Sequence, residues 1–86
     1  MIKTYRKIAT IQAEQFDGSA GKLAILMDKY HITERIWSTN IHEYFIETLE
    51  GQMELSIGDW IATGIKGEHW AIADDVFKAS YVEVTE

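Results

Sequence analysis

The sequence predicts an α+β fold, a strongly curved antiparallel β-meander of about five to six short strands with one amphipathic helix packed on it. Three observations carry that expectation. Leu23, Leu26, Met27 and Tyr30 recur at i, i+3, i+4 and i+7, the stripe of a single helix. From Tyr44 onward the pattern changes to alternation with period two, and Gly51, Gly58, Gly64 and Gly67 punctuate it as turns. The chain is 86 residues long with 47% hydrophobic residues and no cysteine, so it holds one core, one domain over residues 1–86, built by packing without disulfides.

Taken in order, the β-branched residues Ile8, Thr10 and Ile11 predict a strand from Tyr5 to Phe16. The breaker run Asp17-Gly18-Ser19-Ala20-Gly21 ends it and offers Asp17 or Ser19 as the cap of the helix through Tyr30. Between His31 and His42 the pattern weakens to a short strand or loop near Arg35 to Thr39. Residues 44–49 and 52–56 then form a hairpin about a turn at Glu50-Gly51, with Gly51 in the positive-φ conformation such turns need. Ser56-Ile57-Gly58-Asp59 turns into a strand from Trp60 to Thr63, and Gly64 to Gly67 turns again before Glu68 to Ile72. Asp74 and Asp75 cap a single helical turn carrying Val76 and Phe77, and Tyr81 to Thr85 alternates as a terminal strand. No proline blunts any strand edge, so an edge is open to pairing with another chain.

Eight basic against fourteen acidic side chains give a net charge of −6. The imbalance is local: residues 1–43 carry six basic and five acidic side chains (+1), and residues 44–86 carry two and nine (−7). Such a field repels phosphate backbones, so direct nucleic-acid binding is disfavoured and a basic protein partner is favoured, while the same charge also serves solubility. No apolar run is near the roughly 20 residues a membrane helix needs, and Lys3, Arg6 and Lys7 are followed by no apolar signal core. The expected location is the cytoplasm.

Motifs that carry chemistry are sparse. His31, His42 and His69 fall in different elements, without the close spacing of a metal site, so neither a metal nor another cofactor is expected. No nucleophile elbow, dinucleotide fingerprint or phosphate loop occurs, and no catalytic residue is assigned. The densest unusual run is Gly58-Asp59-Trp60 with Gly64-Ile65-Lys66-Gly67-Glu68-His69-Trp70. It has two readings. In one, the glycines and Asp59 build turns and Trp60 and Trp70 pack on neighbouring strands. In the other, Trp60, Lys66, Glu68, His69 and Trp70, joined by Arg6, line a binding surface of aromatic faces and cations.

Two blocks of sequence are similar to a family of small proteins encoded by tailed phages and prophages and marked by a Pro-Gly-Asp-Tyr-Gly motif. Tyr5-Arg6-Lys7 followed by Ile11-Gln12-Ala13-Glu14-Gln15-Phe16 resembles the family's Tyr-Arg-Lys opening and first strand. Thr48-Leu49-Glu50-Gly51, Gly58-Asp59-Trp60-Ile61 and Gly64-Ile65-Lys66-Gly67-Glu68, continuing to Asp75-Val76-Phe77 and Tyr81, resemble its later motifs in order and spacing. Ile57 stands where the family has proline before Gly-Asp, and His69-Trp70-Ala71-Ile72-Ala73 replaces its Tyr-Pro-Cys-Lys-Pro. The family brings no established reaction.

The resemblance implies a phage accessory protein, and the expected function is a non-catalytic module binding a host or phage macromolecule, possible also as a homodimer. The alternative is a protein that sequesters a small nucleotide signal, with Lys66 and Arg6 facing its phosphates; a small enzyme ranks third.

Overall fold

The computed structural model describes residues 1–6 and 9–84. Among the described residues eight elements follow one another: β1 (Gln12–Gln15), α1 (Ala20–Tyr30), β2 (Thr33–Ser38), β3 (Ile41–Thr48), β4 (Gly51–Leu55), β5 (Trp60–Thr63), β6 (His69–Ile72) and α2 (Asp74–Ser80). The class is α+β, with all strand pairs antiparallel. The strands divide into two three-stranded sheets, ordered β1-β5-β6 and β2-β3-β4, and the second is a meander. In the first, β1 leaves sequence order to pair with β5, Glu14 opposite Ile61 and Gln15 opposite Trp60.

Several elements differ from the sequence expectation, each for a local reason. The first strand is only Gln12–Gln15, because β5 offers four residues to pair with it; residues 5, 6 and 9–11 lie outside any strand, and Lys7 and Ile8 lie outside the described residues. Ser19 stands at the helix N-cap without a side-chain cap bond, and Asp17 Oδ1 instead accepts the Ser19 N–H at 2.8 Å. The ambiguous stretch is the full strand β2, held by β3 rather than by its own pattern. The β3–β4 turn is Leu49-Glu50, one residue earlier than expected, since Thr48 pairs with Gly51. Gly51 itself opens β4 at φ +108°. The Thr48 hydroxyl fixes this turn, accepting the Glu50 N–H at 3.1 Å and donating to the Gly51 carbonyl at 2.7 Å.

The last segment is a second helix rather than one turn: α2 runs two turns, with Ala73 at its N-cap and Asp74 and Asp75 inside its first turn, where carboxylates favour the helix dipole. Residues 81–84 form no strand, and Thr85 lies outside the described residues.

Helix α1 ends in a Schellman motif. His31 takes the left-handed conformation (φ 54°, ψ 43°), its N–H reaches Asp28 O at 3.4 Å, and the Ile32 N–H reaches Met27 O at 2.9 Å. The motif turns the chain back so that Ile32, buried, enters the core.

Alternation assigns the faces. In the first sheet Gln12, Glu14, Ile61, Thr63, His69 and Ala71 share one face, and Ala13, Gln15, Trp60, Ala62, Trp70 and Ile72 the other. The core forms where Ile61 and Ala71 meet Leu26 and Tyr30 of α1 and Tyr44, Ile46 and Leu55 of the second sheet, with Phe16 and Ile32 filling the joint. Phe16 meets the Tyr44 ring edge-on at 5.1 Å. Phe16, Ile46 and Ile61 are fully buried, and truncating any one to alanine removes about 2–5 kcal/mol.

Candidate functional site

The turn-rich run is divided between the two faces of the first sheet. Trp60 and Trp70 share a face of the first sheet on adjacent strands, two rows apart, Trp60 opposite Ile72 and Trp70 opposite Ala62. Trp60 stacks on Phe77 of α2, centroids 4.3 Å apart and planes 12° apart, and its indole N–H donates to Asp74 Oδ1 at 2.8 Å. That bond, with Lys78 at 3.1 Å as the second cause, holds the Asp74 carboxyl below its ordinary pKa. Gln15 donates to the same oxygen at 3.4 Å. Trp60 is therefore the seat on which α2 docks.

Trp70 lines a shallow cleft of about 260 Å³ with Thr10, Ile11, Gly64, Ile65 and Glu68. In the turn beside it the Gly67 N–H reaches Gly64 O at 3.0 Å and the Lys66 N–H reaches Glu68 Oε1 at 3.3 Å. A β-carbon at Gly64 would meet the end of the Glu68 side chain and come within 3.0 Å of the Trp70 ring, so a larger residue there requires Glu68 to move. Asp59 fastens the preceding turn, its Oδ2 accepting the Ser56 N–H at 2.9 Å, and Gly58 adopts φ +100°. Lys66 is exposed on its turn and Arg6 is exposed in the segment before β1.

His69 faces the opposite way. It stands in a row with Gln12 and Thr63 across the three strands, and its Nδ1 lies 2.9 Å from the Thr63 hydroxyl. The Tyr30 ring meets it edge-on at 5.0 Å. Glu14 Oε2 accepts from both the Tyr30 hydroxyl and Lys29 Nζ, the latter at 2.6 Å. Lys29 first and Tyr30 second hold the Glu14 carboxyl low, while burial first and then Glu14 push the Tyr30 phenol up. These groups line a cleft of about 330 Å³ at the end of α1. Sequence reasoning missed Glu14, Lys29, Tyr30 and Thr63; the period-two placement of Gln12 and Glu14 is a signal of their shared face, but only the β1–β5 pairing brings them to His69.

A second surface was also unread. On the outer face of β2-β3-β4 the Arg35 guanidinium lies 5.4 Å from the ring centres of both Trp37 and Phe45. The Trp37 indole N–H donates to Glu43 Oε1 at 2.8 Å. Register places Glu47 and Glu54 on the same face, Glu54 directly opposite Phe45. Trp37 is 60% exposed, although tryptophan is among the side chains whose burial contributes most. At the far end of this hairpin His42 bridges Glu34 (2.9 Å) and the Thr39 carbonyl (3.3 Å).

Among the described residues no cluster of three or more His, Cys, Asp or Glu side chains fits a metal ion, and no helix is long and apolar enough to cross a membrane. No protein-family model matches the chain, and comparison with the curated proteins and with solved structures finds no match.

Proposed function

We propose that this chain is a non-catalytic binding module, an accessory protein of a tailed phage or prophage working in the bacterial cytoplasm, and that its docking face is the outer surface of β2-β3-β4. One observation carries the reading: the stack of Trp37, Arg35 and Phe45 lies on an exposed sheet face and is flanked by the carboxylates of Glu43, Glu47 and Glu54. Aromatic and arginine side chains are the residues that dominate protein interfaces. Three carboxylates against one guanidinium fit a partner segment carrying lysine or arginine, and the −7 charge of residues 44–86 steers such a partner inward. Phage context rests on the motif resemblance.

A displayed random-peptide library selected on the wild-type chain tests this. Enrichment of basic peptides whose binding falls at least tenfold with Trp37→Ala and with Glu47→Lys supports the docking face. Peptides without basic residues, or undiminished binding to both variants, overturn it.

Small-ligand sequestration finds its best support in the cleft of Gln12, Thr63 and His69 rather than at Lys66 and Arg6. There an amide, a hydroxyl and an imidazole stand side by side. Calorimetry with a panel of cyclic and linear nucleotides tests that reading; absence of heat across the panel rejects it for nucleotides.

A further inference from the structure

We propose that two copies of this chain pair antiparallel along β2, joining their second sheets into one continuous six-stranded sheet. β2 lies at the edge of its sheet and all six of its residues are exposed. Its free edge carries no proline, and Ile36 and Trp37 are each 60% exposed, with Ile41 beside them at 54%. A second copy is the occupant that two quantities favour.

The first is area. The chain exposes 6884 Å², about a third above the roughly 5,200 Å² of a compact monomer of this mass. Its radius of gyration is 14.6 Å, where a compact chain of this length has about 12 Å. The exposed segments before β1 and after α2 and the exposed β2–β3 hairpin all contribute to the area. A stable pair needs roughly 800 Å² from each partner, and Ile36 and Trp37 of the β2 edge, with Ile41 beside them, belong to this exposed surface.

The second is charge. The negative charge lies in residues 44–86 (−7), which repel their own copy, whereas residues 1–43 carry +1. β2 lies in that near-neutral half, with Glu34 balanced by Arg35. Residues directly opposite in an antiparallel pair share a face, so a two-fold axis that keeps both outer faces on one side passes through a residue. An axis at Glu34 or Arg35 sets like charges against each other. An axis at Ile36, just before the bulge that follows it, sets Ile36 against its copy, Arg35 against the second copy's Trp37, and Glu34 against Ser38. That register is the one the sequence of the strand favours.

The pairing would place two Trp37–Arg35–Phe45 stacks side by side and double the proposed docking face, but it does not depend on that face having a partner. The chain has no cysteine, so single cysteines report position cleanly. Ile36→Cys should give a majority of covalent dimer on mild oxidation or with a short bismaleimide, and Leu49→Cys, 77% exposed at the β3–β4 turn, should give almost none. Sedimentation of the wild-type chain should show a dimer at micromolar concentration that strengthens from low to physiological salt. Ile36→Lys should return it to monomer with an unchanged circular dichroism spectrum. A wild-type monomer under both salts, or a dimer that Ile36→Cys fails to trap above the Leu49→Cys control, overturns the proposal. Peptide selection on the monomeric Ile36→Lys variant tests the docking face separately.

Discussion

The Trp60 indole and the Phe77 ring lie nearly parallel at 4.3 Å, and this stack, with the hydrogen bonds of Asp74, joins the first sheet to α2. Tyr81 extends it, 5.2 Å beyond Phe77. No residue of α2 is buried, so the helix owes its position to this stack and to the bonds of Asp74. Phe77→Ala should therefore cost about 2 kcal/mol, read by urea denaturation, while Phe77→Leu, which keeps the bulk but not the stack, costs about 1 kcal/mol. Trp60 emission should shift to the red in the alanine variant as water reaches the indole. Equal stability of both variants and the wild type would show that α2 is held elsewhere.

At the end of α1, His31 occupies a left-handed conformation that costs a β-carbon-bearing residue about 1 kcal/mol and glycine almost nothing. His31→Gly should raise stability by about 0.5–1 kcal/mol. A loss of stability in chemical denaturation would mean that the imidazole makes a contact outweighing the strain.

Gly51 poses the converse case. A β-carbon there meets nothing within 4 Å, so space is ample and the φ of +108° alone resists substitution. Gly51→Val should cost about 1–3 kcal/mol, all of it backbone strain. A melting temperature equal to that of the wild type would contradict this.

The tip of the β2–β3 hairpin carries a pH dependence. Glu34, and after it the Thr39 carbonyl, favours the charged imidazole and raises the pKa of His42 above its ordinary 6.5. A raised folded-state pKa means that this contribution to stability is fully present below the unfolded value and is lost as pH rises through the folded one. Chemical-shift titration should place the His42 midpoint above 6.5, and Glu34→Gln should bring it down. A wild-type midpoint at or below 6.5, unmoved in the variant, would remove the bridge from the account.

Local signals in the chain were enough for the fold class, α1 and the strand at Trp60–Thr63, because each is written within a few consecutive residues: a stripe at Leu23, Leu26, Met27 and Tyr30, or turn glycines on either side of a short apolar run. The missed features are those set by distant partners. β2 reads as polar because every residue of it is exposed, and only its ladder with β3 makes it a strand. The outer-face stack depends on Phe45 facing away from Tyr44 and Ile46, and the alternation shows this, but nothing local says that Arg35 and Trp37 lie above it. Trp60 and Trp70 come together on one face of β5 and β6, but His69 turns to the opposite face and Lys66 stays on the turn between the strands. Glu14 and His69 share a cleft through a β1–β5–β6 order that no spacing in the sequence encodes.

The docking face is tested most directly by mapping amide chemical shifts of the labelled chain while titrating the tightest basic peptide from the library selection. The account predicts perturbations concentrated in residues 33–37, 43–47 and 52–54, saturating together with one affinity, and abolished in Trp37→Ala. Perturbations centred on residues 10–12 and 64–70, or spread evenly over the acidic surface and erased by physiological salt, would contradict it.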